Sequence, residues 1–182
     1  MNKIETPLKD CYVIEPNVIG DSRGWFMESY SKKKFEELDL DYDFIQDNHS
    51  FSSQVGILRG IHCQVAPYAQ AKLVRCTRGK ILDVAVDLRT ESPTYKQWFA
   101  VELTPENAKQ LLVPRGFGHG FVTLSDDCEV QYKTDNFYNF ESDRSIQFDD
   151  PEIGVMWGIE NPMLSEKDSK ALPLSKHVLE FE

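Results

Sequence analysis

Apolar and polar positions alternate along most of this chain. In Lys80–Leu88, KILDVAVDL, Leu82, Val84, Val86 and Leu88 fall on one face, with Asp83 and Asp87 on the other. In Cys128–Thr134, CEVQYKT, Cys128, Val130 and Tyr132 share a face opposite Glu129, Gln131 and Lys133. A period of two is the side-chain repeat of a strand, so both segments predict β structure. Weaker patterns predict strands over Cys11–Pro16, Gly24–Tyr30, Asp43–Phe51, Ala71–Thr77, Gln97–Leu103, Gln110–Val113 and His119–Leu124. Turn-forming clusters separate them, among them Arg78-Gly79, Ser92-Pro93-Thr94, Thr104-Pro105-Glu106-Asn107 and Pro114-Arg115-Gly116. Helical patterning is confined to Ser31–Leu38 and Ser165–Lys170. Short strands about every ten residues, with little helix to cover a sheet, predict an all-β fold that closes as a double-sheet jelly roll. With no repeat, linker or low-complexity tract, residues 1–182 read as a single domain.

Charge and cysteine content narrow the function classes. Thirty acidic against 20 basic residues give a net charge of −10, which repels a phosphate backbone and argues against nucleic-acid binding. A small anion stays compatible, because a few placed Arg and Lys side chains outweigh the global field locally. Cys11, Cys63, Cys76 and Cys128 form no CxxC pair and no zinc-type spacing with histidine. No apolar run is long enough for a membrane span, and the N-terminal MNKIETPLKDC lacks a signal-type apolar core. Free thiols in a reducing cytoplasm are the expectation.

The candidate chemistry lies in several short segments. In Arg59-Gly60-Ile61-His62-Cys63-Gln64 there is one histidine, with Gln64 where a metal-binding cupin carries a second. Lys72 follows where a carboxylate ligand would stand, and a lysine repels a cation, so no metal is expected. Alternation in AKLVRCT sets Lys72 on an apolar face with Val74 and Cys76. There it serves either as an oxyanion partner or as an edge lysine reaching for water. His62 is a candidate general base or an ordinary hydrogen-bonded histidine. His119 sits in a glycine-flanked turn, which is either a ligand approach or a tight hairpin. Tyr132 is a candidate acid or a core tyrosine. Asp168 in Ser165-Glu166-Lys167-Asp168 either completes a capping box or orients a histidine. Arg23 and Arg59 are candidate diphosphate ligands or surface residues. Strict alternation separates Arg59 from His62, so one pocket needs a bulge between them or a second subunit.

DSRGWFMESY, QDNHSFSSQVGILRGIHCQ, QAKLV, LLVPRGFGHGF, CEVQYKT, FDDP and LSEKD occur in one order from about Asp10 to about Leu174. This ordered set resembles the dTDP-4-dehydrorhamnose 3,5-epimerase family. The resemblance implies a cupin-like jelly roll and a homodimer. It implies an isomerase that uses no cofactor and converts dTDP-4-dehydro-6-deoxyglucose to dTDP-4-dehydro-L-rhamnose. By motif position His62 would be the base, Asp168 its carboxylate partner, Tyr132 the acid and Lys72 the enolate stabiliser. Arg23, Glu28, Gln46, Asp47, Asn48, Arg59, His119 and Lys167 would bind nucleotide and sugar. Phe26, Tyr138 and Asp143 complete the expected binding set, and Asp143 stands where the family usually has a longer glutamate. A mono-epimerase or a 3,4-ketoisomerase would keep the same fold and much of this chemistry. A non-catalytic nucleotide-sugar module would instead be expected to lack part of the acid–base set.

Overall fold

The computed structural model describes residues 1–181. In chain order the strands are β1 (Asn2–Glu5), β2 (Tyr12–Glu15), β3 (Val18–Asp21), β4 (Gly24–Met27), β5 (Gln46–Ser52), β6 (Leu58–Gln64) and β7 (Lys72–Arg78). They continue as β8 (Ile81–Asp87), β9 (Trp98–Leu103), β10 (Gln110–Val113), β11 (Phe117–Thr123), β12 (Cys128–Thr134) and β13 (Asp143–Ser145). Two short helices, α1 (Lys32–Glu36) and α2 (Glu166–Ser169), and a 3-10 turn at Leu174–Lys176 complete the chain. The all-β expectation holds. Both helix segments are shorter than the patterning suggested, and β1, β3, β6 and β13 had not been singled out as strands.

The larger sheet has the order β1-β2-β10-β7-β12-β5 and the smaller the order β13-β6-β11-β8-β9. Their facing surfaces bury Val74, Cys76, Val130, Ile81, Ala85 and Phe121 in one cluster. A second cluster covers the outer face of the smaller sheet. There Leu58, Ile61, Val84, Val86 and Val122 pack under Ile153, Trp157 and Leu174 from the C-terminal segment. That segment is tied down by Trp157 Nε1–H donating to the Phe148 carbonyl at 2.8 Å and by a parallel bridge between Ile146 and Leu172. A third cluster seats Phe35 of α1 on Ile14, Leu73 and Leu112, on the outside of the larger sheet. β8 is thus buried on both faces: Asp83 and Asp87 are as inaccessible as the valines between them.

The bulge required for a shared pocket is present. Along β11, His119 pairs with His62 and Phe121 with Arg59, so two steps on β11 match three on β6. The extra residue lies at Gly60-Ile61 and returns Arg59 and His62 to the same face. Gly60 has φ +124°, and a Cβ there would stand 2.5 Å from the Gly120 Cα and 2.8 Å from the His119 carbonyl oxygen. Only glycine fits so close a crossing of two backbones.

Candidate active site

The facing surfaces of the sheets are sealed at one end and open at the other. Cys76, Val130 and Cys128 are buried, whereas Lys72, Tyr132 and His62, further along the same faces, keep accessible surface. Arg59 reaches across the gap: its Nε and Nη2 donate to Ser52 Oγ at 3.2 Å and the Phe51 carbonyl at 3.0 Å, at the end of β5. His62 projects from the smaller sheet, and Lys72 and Tyr132 project from the larger. Val74 lies opposite Tyr132 across the β7–β12 ladder, so Lys72, two residues before it, is the diagonal neighbour of Tyr132 on one face.

His62 Nε2 lies 2.5 Å from Asp168 Oδ1, although the two residues are 106 apart in sequence. Asp168 is buried on α2, whose N-cap is Ser165. Ser165 Oγ accepts the Asp168 backbone N–H at 3.1 Å. The Ser165 half of a capping box is therefore present, while the Asp168 carboxylate faces the imidazole. Burial alone would raise the Asp168 pKa. The hydrogen bonds from His62, Ser165 and the Gly60 N–H outweigh it, and the carboxyl lies below the usual carboxylate range. An ionised carboxylate at this distance fixes the imidazole ring and stabilises its protonated form.

The Lys72 ammonium has no hydrogen bond or ion pair among the described residues, and burial pushes its pKa below 10.5. An unpaired, partly dehydrated cation is suited to an oxyanion that appears only during reaction. The Tyr132 hydroxyl likewise has no partner among the described residues. Burial raises its pKa above 10.0 and outweighs the opposing pull of Arg59, so the phenol keeps its proton. His119 and Asp83, both buried, pair at 2.8 Å on the floor of the gap. Burial lowers the His119 pKa against the raising effect of Asp83, which favours a neutral ring. Sequence reading did not single out Asp83 as a site residue. The available signal was an acid in register with Ile81 and Ala85 on a face turned toward the opposite sheet.

The other expected binding residues divide into three groups. Lys167 of α2 and Asp143 of β13 form an ion pair beside the mouth, and the Tyr138 hydroxyl donates to Asp143 Oδ2 at 3.3 Å. On β5, Gln46 pairs with Thr134 and Asn48 with Tyr132, so both face the gap and bond to each other at 3.0 Å. Asp47 points to the opposite side of that sheet, where it meets Lys133 at 2.8 Å. Arg23 and Phe26 lie on the β3–β4 hairpin, which pairs with neither large sheet. Arg23 contacts Asp21, Phe26 is 64% exposed, and Glu28 binds Lys34. Within one chain these three are not assembled with His62.

A family model described as dTDP-4-dehydrorhamnose 3,5-epimerase matches residues 5–176. A curated protein of that name from Shigella flexneri is 51% identical over 169 residues, covering 92% of this chain and 93% of its own. The fold matches the crystal structure of dTDP-6-deoxy-D-glucose-3,5-epimerase from Legionella pneumophila in complex with dTDP-4-keto-L-rhamnose. The TM-score is 0.94 and the identity 41%, over 100% of this chain and 98% of that one. A 3'-monoepimerase from Streptomyces bikiniensis in complex with dTDP-quinovose aligns with TM-score 0.87 and 31% identity, over 94% of this chain and 87% of that one. With its jelly-roll sheets and a family match over nearly all its length, this chain belongs to the dTDP-4-dehydrorhamnose 3,5-epimerase family.

Proposed function

We propose that this chain epimerises dTDP-4-dehydro-6-deoxyglucose at C3 and C5, giving dTDP-4-dehydro-L-rhamnose. The observation that carries the reading is the placement of His62 and Tyr132 on opposite walls of one gap. A ketone at C4 acidifies the neighbouring C–H bonds. His62 takes a proton from one face, and the electron pair moves onto the C4 oxygen as an enolate. Lys72 holds that oxyanion, an interaction worth roughly 3 kcal/mol in such sites. Tyr132 returns a proton from the other face and inverts the centre. A single group returning its own proton would leave the configuration unchanged. Lys167 at the mouth and Arg59 further along the gap supply cations for the diphosphate, and Tyr138 supplies an aromatic face for the base. No metal or organic cofactor enters this scheme.

The test is incubation with the substrate in heavy water, followed by proton NMR. Deuterium at both carbons with inversion is expected. Deuterium at one carbon only would make the chain a mono-epimerase like its Streptomyces bikiniensis relative. Exchange at neither carbon in folded protein would refute proton transfer on this sugar.

The active unit is proposed to be a homodimer. The β3–β4 hairpin exposes Ile19, Trp25 and Phe26, each more than 60% accessible, and it carries two of the expected binding residues. An apolar ribbon of this kind is suited to a second copy of the chain, whose site would receive Arg23 and Phe26. Sedimentation as a single 21.0 kDa chain at assay concentration would refute this.

The direction of the Lys72 shift sets the alkaline limb of the pH profile. The charged lysine is the active form, and it is lost as pH rises through a pKa below 10.5. Burial shifts Tyr132 the opposite way, above 10.0, so the two groups move apart. kcat/KM should therefore fall at a pH below 10.5, and in Lys72→Arg the fall should move to higher pH, with a lower plateau. A wild-type profile flat to pH 10.5 would separate Lys72 from the chemistry.

A further inference from the structure

Gln64 lies two residues after His62 on β6 and is buried, yet the catalytic scheme does not use it. Its carboxamide is fully engaged by backbone. Nε2 donates to the Tyr68 carbonyl at 2.7 Å and to the Phe137 carbonyl at 3.1 Å. Oε1 accepts the Asn139 N–H at 2.7 Å. Those last two bonds fall on either side of Tyr138. Tyr138 is 58% exposed, and its only side-chain hydrogen bond among the described residues is the long one to Asp143, so little else fixes its position. Asp143 is itself the register partner of Gln64 across the β13–β6 ladder.

We propose that Gln64 is a positioning residue that holds Tyr138 at the mouth of the site, so that the tyrosine meets the sugar nucleotide already ordered. The proposal rests on the reading that the nucleotide sugar enters between the two sheets. One strand then carries both the base and the clamp that sets the aromatic wall, with His62 facing the reacting carbons and Gln64 gripping the loop. An unclamped loop would lose conformational freedom on each binding event, which weakens binding without altering the proton-transfer groups. The same engagement explains why a glutamine serves here: both its donors and its acceptor are needed, and neither glutamate nor histidine supplies that set in this geometry.

The test is a double-mutant cycle with Gln64→Met, which keeps length and removes all three bonds, and Tyr138→Ala. Gln64→Met should raise KM about tenfold while kcat changes less than threefold. Tyr138→Ala should raise KM similarly, and the double variant should be no worse than the weaker single one. Independent effects that multiply in the double variant would overturn the proposal, as would a Gln64→Met change confined to kcat. Amide exchange at Asn139 reads the clamp without ligand: it should accelerate in Gln64→Met, and unchanged protection would overturn the clamp. If Asn139 exchange accelerated in Gln64→Met while the wild type failed to turn over the nucleotide sugar, the catalytic reading would fail while the clamp itself stood.

Discussion

Replacing His62 by asparagine is expected to lower kcat by on the order of 1000-fold and to abolish deuterium incorporation at both C3 and C5. Asparagine is polar but shorter than the imidazole, and its amide ends at the level of Nδ1, so it loses the contact that Nε2 makes with Asp168 and cannot accept a proton near neutral pH. Loss at both carbons is the informative part. His62 is the proposed base on its wall; the gap's other histidine, His119, is occupied by Asp83 at 2.8 Å. If His62→Asn kept exchange at one carbon at the wild-type rate, that carbon would have a different base, and the single-base scheme would be wrong. The variant should still bind dTDP with wild-type affinity in calorimetry, because the proposed nucleotide contacts lie elsewhere.

Tyr132→Phe is expected to separate exchange from inversion. His62 can still remove a proton and return a deuteron from its own face, so label should appear with the original configuration retained. Net epimerisation should drop by roughly 100-fold or more, the contribution usual for a positioned acid. The phenol has no hydrogen bond among the described residues, so removing its oxygen leaves no buried partner unsatisfied, and thermal stability should change by less than about 1 kcal/mol. Unimpaired epimerisation in Tyr132→Phe would mean that water or another group protonates the far face.

Much of this was legible in the chain. The alternation around Val84 and Val130 located β8 and β12, and it turned Lys72 and Tyr132 toward the same side as Val74, Cys76 and Val130. These are local properties, because side-chain direction in a strand follows from a two-residue repeat. The resemblance supplied roles for His62, Lys72, Tyr132 and Asp168, and the geometry is compatible with all four. Local pattern also missed elements. β1, β3, β6 and β13 are short or lie at edges, and β6 is interrupted at Gly60, so none shows a clean repeat.

The sequence by itself determined nine of the thirteen strands and, where the two-residue repeat is unbroken, which residues share a face. Only the tertiary structure decided which of them meet. Asp168 reaches His62 because the C-terminal segment wraps the outer face of the smaller sheet and sets α2 against β6. Arg59 joins His62 on one face because a bulge inserts a residue at a crossing too close for any Cβ. Asp47 is separated from Gln46 and Asn48 because pairing with β12 commits alternate residues to opposite sides. Asp83 and Asp87 are buried because a second layer covers each face of β8. In each case the deciding contact joins segments far apart in the chain, and pairing between distant segments leaves no periodic trace in either one.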